Sequence, residues 1–177
     1  DGIKISKLRK KKLEEISTET YKIFPKLSKN NEKLTIRFMS SFKNINSLNM
    51  EDLTMIFNEN FDKEISNGST FLGPHKDDFE IQINDKNSSE FSSRGQIRTA
   101  TLSIKLGEAN ALKNSLSDTP IIVLDDILSE LDFDRRKTVV NFIREYEQIF
   151  LTSPDDSLIK SIVERDDKIF NVNNGNV

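Results

Sequence analysis

Cysteine is absent and histidine occurs once, at His75. Thiol catalysis, disulfides and thiolate zinc sites are therefore excluded, as is a histidine-rich metal centre. Oxygen-ligated Mg²⁺ remains open. No apolar run approaches the length needed to cross a bilayer, and no charged-then-apolar leader opens the chain. Neither a membrane span nor a secretion signal is expected, which makes the cytoplasm the expected compartment. An initiator methionine is missing too. The sequence opens on Asp1-Gly2-Ile3 and runs at once into a helical pattern, so it is read as a piece of a longer protein.

What is present is a chain of 177 residues, 35% hydrophobic and 31% charged. That suits one or two small soluble domains with a real core. The formal charge is −3, but Lys and Arg outnumber Asp and Glu by 12 to 5 over residues 1–43 and are outnumbered 14 to 24 over the rest. The basic residues Lys4, Lys7, Arg9, Lys10, Lys11, Lys12 and Arg37 suit nucleic acid or another acidic partner. A solvated helix face is the simpler alternative.

Ile5, Leu8, Leu13, Ile16, Ile23 and Phe24 recur at helical spacing, predicting a helix over 4–24 that Pro25 ends. Leu34, Ile36 and Phe38 alternate with polar residues as in a strand with one buried face. Leu53, Ile56, Phe57, Phe61 and Ile65 return to helical spacing over 51–65. Asn67-Gly68-Ser69 is turn chemistry and marks the expected boundary between residues 1–66 and 67–177. Beyond it come a short strand (Phe79, Ile81, Ile83), a polar turn over 84–89 and a helix over 96–114. A buried strand at Ile121 to Leu124, a helix over 134–147 and further buried strands at Ile149 to Leu151 and Ile169-Phe170 follow. The polar tail over 171–177 is expected to fray. Short apolar runs separated by helices predict an α/β fold with a partly parallel sheet flanked by helices, preceded by a mainly helical segment.

Two stretches could carry chemistry. In "PIIVLDDILSELD" a strand delivers Asp125 and Asp126 at its carboxyl end, where α/β sheets place ligands. The first carboxylate can hold Mg²⁺ and the second can orient and deprotonate an attacking water, as in a Walker B strand. The alternative is a strand that merely reaches solvent through polar residues. In "FSSRGQIRTATLSIKLGEANALKN", Ser93, Gly95 and the amides opening a helix make a natural anion site, with Gly95 permitting close backbone approach. An ordinary N-cap is the alternative. The loop Gly68 to Gly73 has the glycine spacing of a Walker A motif, but Pro74 and His75 stand where Lys and Ser or Thr are required. His75 reads as a hydrogen-bonded turn residue.

Taken in order along the chain, the two stretches resemble the second half of an ATP-binding cassette (ABC) ATPase. Ser93-Arg94-Gly95-Gln96 resembles its signature, Asp125-Asp126 its Walker B carboxylates, Ser129-Glu130-Leu131-Asp132 its D-loop, and Thr152-Ser153 stands at its switch. With "GPHKDDFEI" from Gly73, the set closely resembles the carboxyl-terminal half of the RecF family, bacterial DNA replication and repair ATPases related to SMC heads. Lys76 stands where that family usually has arginine, and no switch histidine is present.

The resemblance implies the carboxyl-terminal half of an ABC-type ATPase head over 67–177, with 1–66 belonging to the second lobe and a Walker A lobe upstream. It implies ATP and Mg²⁺ as cofactors, neither held stably by this chain alone. Two protomers would share ATP in trans: Ser93, Gly95 and Gln96 meeting the partner's nucleotide, Asp125 holding Mg²⁺, Asp126 poising water, Asp132 crossing the interface and Thr152 at the switch. It further implies an ATP-driven homodimeric clamp on gapped, single-stranded or junction DNA, contacted by Lys4, Lys7, Lys11 and Arg37. Its partner would be RecR and its task loading the RecA recombinase, in the nucleoid and within the SOS response. The rival readings are another SMC-like or transporter-type head and a non-hydrolysing interaction lobe.

Overall fold

The computed structural model describes residues 1–28, 32–116 and 118–173, so residues 174–177 of the expected frayed tail lie outside it. The chain forms two compact units, Asp1–Ser115 and Leu116–Val177. The first of these units takes in the stretch on both sides of Asn67-Gly68-Ser69.

In the first unit, α1 (Gly2–Leu27) is followed by β1 (Leu34–Met39), α2 (Met50–Asn67), β2 (Asp78–Ile83), β3 (Lys86–Asn87), α3 (Ser88–Phe91) and α4 (Arg94–Ser115). The strands form an antiparallel sheet in the order β1-β2-β3, with Leu34 opposite Ile83 and Ile36 opposite Ile81. Asn84 and Asp85 both take positive φ, which is what a two-residue hairpin between β2 and β3 requires. Phe24, Leu34, Ile83 and Ala100 make the core that joins this sheet to α1 and α4.

The helix α1 runs through Pro25 instead of stopping there. Proline removes one hydrogen bond and crowds the preceding turn. Here only the last turn follows it, Ser28 N–H still donates to Phe24 O at 2.8 Å, and both Phe24 and Leu27 are only 1% exposed. Burial of those two side chains outweighs the lost bond. The helix α2 forms as expected, opened by a capping box between Asn49 and Asp52 and closed by Gly68 at φ 63°. Its apolar stripe is only partly covered, with Leu53 and Ile56 half-buried and Phe57 edge-on to Phe42 at 6.5 Å.

Small and hydroxyl-bearing side chains bring α1 and α4 together. Thr20 and Ser103 are fully buried, and their hydroxyls are satisfied inside their own helices by Ile16 O and Thr99 O. Gly107 lies against Thr20: a Cβ there would sit 2.8 Å from Thr20 N and would overlap its Oγ1. Alanine gains about 1 kcal/mol in helix propensity, but the obstruction is backbone, so the helices must separate. Gly107→Ala is expected to lower stability by roughly 1–3 kcal/mol in denaturant titrations. A more stable variant would contradict the close crossing.

The second unit contains β4 (Ile122–Asp125), a 3₁₀ turn (Leu128–Glu130), α5 (Phe133–Ile143), β5 (Ile149–Thr152) and α6 (Asp156–Ile162). β4 and β5 are parallel, pairing Val123 with Phe150 and Asp125 with Thr152. The α/β class and the parallel pair flanked by helices are as the sequence predicts. Three expectations change. α5 ends at Ile143 rather than 147, because tight turns from Phe142 O to Glu145 N–H and from Ile143 O to Tyr146 N–H swing Tyr146 into the core. β4 is buried on one face only, with Val123 63% and Phe150 50% exposed on the other. Ile169 and Phe170 lie in no strand and are exposed; without a paired neighbour an apolar dipeptide does not become a strand.

Candidate nucleotide-binding site

The carboxyl end of β4 presents Asp125 and Asp126 with exposed side chains. Their geometry is set by the neighbouring strand. Thr152 Oγ1 donates to Asp125 Oδ1 and accepts from Asp126 N–H at 3.1 Å, while Asp126 N–H also reaches Thr152 O at 3.2 Å. One hydroxyl thus locks both aspartates to β5. The other oxygen of Asp125 and the whole carboxylate of Asp126 make no hydrogen bond among the described residues. Asp126 has φ 51°, a conformation uncommon outside glycine and tolerated by Asp; such outliers concentrate at functional sites.

The segment after Asp126 is equally constrained. Ser129 Oγ donates to Asp126 O at 2.8 Å, and the Arg136 guanidinium donates to Leu128 O at 2.8 Å and Ser129 O at 3.3 Å. Asp132 caps α5, accepting from Arg135 N–H at 3.2 Å. Past the switch position, Asp155 caps α6; hydrogen bonds from the Ser157 hydroxyl and then the Leu158 amide hold its carboxyl below the usual range.

A hard-oxygen cation fits this end of the sheet only in part. Asp125 offers an open carboxylate oxygen, but no group of three or more ligating side chains exists among the described residues. That is the donor set of Mg²⁺ held by one or two carboxylates together with phosphates and water.

At the start of α4 Ser93 is a helix cap. The Ser93 hydroxyl accepts from Gln96 N–H at 3.2 Å, and Gln96 Oε1 accepts from Ser93 N–H at 2.7 Å: a full capping box. The box uses a lone pair of Ser93 Oγ and leaves its proton free to donate outward. It also leaves the amides of Arg94 and Gly95 without hydrogen bonds among the described residues. Gly95 is exposed, and a Cβ added there would meet nothing nearer than Ser93 Oγ at 4.0 Å. The protein's own packing does not demand glycine, and the space before those amides is open. Capping and anion binding are compatible here.

The remaining motifs have structural duties. Pro74–Lys76 is a 3₁₀ turn instead of a phosphate-binding helix start. His75 Nε2 is 2.8 Å from Thr70 Oγ1, as expected of a turn residue. Asp77 accepts from the Ser6 hydroxyl and from Ser41 N–H at 3.0 Å, while Ser41 bonds both N–H and O of Gly73. "GPHKDD" is thereby a clasp between α1, the end of β1 and β2.

Among the basic residues, Arg9 donates to Pro74 O, Lys10 pairs with Glu14 and Lys12 with Glu15. Arg37 faces Glu80 in the sheet register. Lys4, Lys7 and Lys11 form no ion pair among the described residues, and their spacing puts them on one face of α1. No sequence signal pointed to Glu32, which receives Gln96 Nε2 at 2.6 Å.

No family model matches the chain. Among curated proteins it is 36% identical over 176 residues to the DNA replication and repair protein RecF of Clostridium novyi, covering 99% of this chain and 48% of that protein. It is 39% identical over 168 residues to RecF of Oenococcus oeni, covering 92% of this chain and 44% of that one. The chain spans about half the length of the curated relatives it matches. Among solved structures it is similar to the recombination mediator protein RecF with ATP, of the RecFOR pathway. The identity is 30% and the TM-score 0.72, over 88% of this chain and 42% of that one.

Proposed function

We propose, of a chain that belongs to the RecF family, that the protein carrying it is a DNA repair ATPase whose dimer closes on ATP and opens on hydrolysis. The observation that carries this reading is the start of α4: the capping box leaves the Ser93 hydroxyl proton and the Arg94 and Gly95 amides free. Three donors at the positive end of a helix suit a phosphate. Because the chain lacks any Gly-x-x-x-x-Gly-Lys-Ser/Thr loop, the nucleotide would be cradled by another segment. We assign Ser93, Gly95 and Gln96 to the ATP held by the partner protomer.

Asp125 would hold Mg²⁺ with the nucleotide phosphates, and the cation supplies charge neutralisation there. Asp126 accepts a proton from the attacking water as its oxygen bonds to the γ-phosphorus, and the bond to the bridging oxygen breaks to release ADP. Thr152 holds the Asp125 carboxylate and the backbone amide of Asp126. Asp132, fixed as the cap of α5, is the residue we place at the protomer interface. Hydrolysis belongs to the longer polypeptide, and residues 67–177 are its ATPase-lobe portion.

The open face of β4 and β5 supports the same reading, since parallel strands are ordinarily covered on both sides. We place the remainder of the polypeptide over Val123 and Phe150. The partners that follow from this reading are gapped or single-stranded DNA, a RecR-type mediator and, through it, the RecA recombinase.

The unpaired face of Lys4, Lys7 and Lys11 is the DNA-contacting surface. Reversing all three to Glu in the full-length protein weakens DNA binding and reduces the slope of log affinity against log salt by about 2–3. An unchanged slope would return these lysines to a solvating role. The function as a whole is tested by hydrolysis in the full-length protein: gapped DNA is expected to stimulate ATP turnover, and absence of turnover with and without DNA would contradict it.

A further inference from the structure

The geometry points to Glu32 as a positioning residue for the phosphate-binding start of α4, an inference that rests on the proposed role of Ser93 and Gly95. Glu32 is 9% exposed, and no lysine or arginine pairs with it among the described residues. Its two oxygens accept from Gln96 Nε2 at 2.6 Å and from the Ser28 hydroxyl at 2.7 Å. Among the described residues both donors are neutral, so the two hydrogen bonds are what offset the cost of burying this acidic side chain.

The consequence lies in the Gln96 carboxamide. A carboxamide can turn end over end, exchanging its acceptor and its donors. Glu32 accepts only from the NH₂ end, which commits Oε1 to Ser93 N–H at 2.7 Å. With that orientation fixed, Gln96 N–H meets the Ser93 hydroxyl and the hydroxyl proton is left to point outward. With the carboxamide reversed, its NH₂ would confront Ser93 N–H and the box would open.

Hydrogen bonds tie down Glu32 and the residue after it. Ser28 anchors Glu32 from the end of α1. On the following residue, Lys33 N–H donates to Asn84 Oδ1 and Lys33 O accepts from Asn84 N–H, both at 2.9 Å. Leu34 next along the chain enters the core with Phe24 and Ile83. Glu32, two residues before β1, thus sets the donor geometry at α4 through one side chain.

In the full-length protein, Glu32→Ala is expected to weaken ATP-dependent dimerisation in sedimentation by about tenfold or more, while binding of a fluorescent ATP analogue to the monomer is unchanged. Glu32→Gln keeps an acceptor and restores dimerisation to within about threefold of the parent. In the double variant with Gln96→Ala, the loss equals that of Gln96→Ala alone, because both act through one link. Additive losses, or Glu32→Ala dimerising like the parent, would overturn the proposal. Should Glu32→Ala fail to fold, the Gln96→Ala and Glu32→Gln pair decides it: the inference fails if Gln96→Ala dimerises normally or Glu32→Gln falls as far. Loss of dimerisation with Ser93→Asp but not with Glu32→Ala would remove only the role of Glu32; normal dimers with both would remove the phosphate site itself.

Discussion

Replacing Asp126 with Asn in the full-length protein is expected to slow ATP hydrolysis by about 10² to 10⁴-fold, the usual loss on removing a general base, while ATP binding and ATP-dependent dimerisation persist. The substitution is well matched to the site. Asn tolerates positive φ nearly as well as Asp, so the 51° backbone at this position survives, and the amide that reaches Thr152 is untouched. Only the proton-accepting oxygen is lost. Asp126→Ala would confound the test by straining the backbone. Unchanged turnover in Asp126→Asn, measured as phosphate release at saturating ATP, would take the general-base role away from this residue.

A charge at Ser93 has an effect of similar size on assembly. Ser93→Asp is expected to abolish ATP-dependent dimerisation while leaving thermal stability within a few tenths of a kcal/mol of the parent, because Asp caps a helix about as well as Ser. A negative group beside the Arg94 and Gly95 amides repels the phosphate that serine would receive. Ser93→Arg, which fills the open space, should give the same loss together with about 1 kcal/mol of destabilisation from the missing cap. The pair separates capping from recognition: dimers that fail only in step with stability would make Ser93 a cap and nothing more.

Much of this was legible in the sequence. Asp125-Asp126 after four β-favouring residues predicts a strand ending in carboxylates, and β4 ends at Asp125 with both side chains exposed. Ser93-x-x-Gln96 predicts a helix start, and α4 begins one residue later. What escaped depends on contacts distant in sequence. Thr152 orients the aspartates only because β5 lies parallel to β4 in one register, and Glu32 reaches Gln96 across 64 positions. Proline misled at residue 25 because propensity describes an isolated helix, whereas burial of Phe24 and Leu27 decided the real one. Periodicity in α2 reported the helix but not how much of its stripe a neighbour would cover: Phe57 meets Phe42 while most of the stripe stays exposed.

The central claim is that Ser93 of one protomer completes the nucleotide site containing Asp126 of the other. Mixing full-length subunits carrying Ser93→Asp with subunits carrying Asp126→Asn tests it most directly. Each variant alone is expected to be inactive. A heterodimer restores one composite site, with intact Asp126 from the first subunit and intact Ser93 from the second, so the mixture regains ATP hydrolysis. If both residues served the same protomer's nucleotide, no intact site could form, and a mixture as inactive as its components would contradict the account.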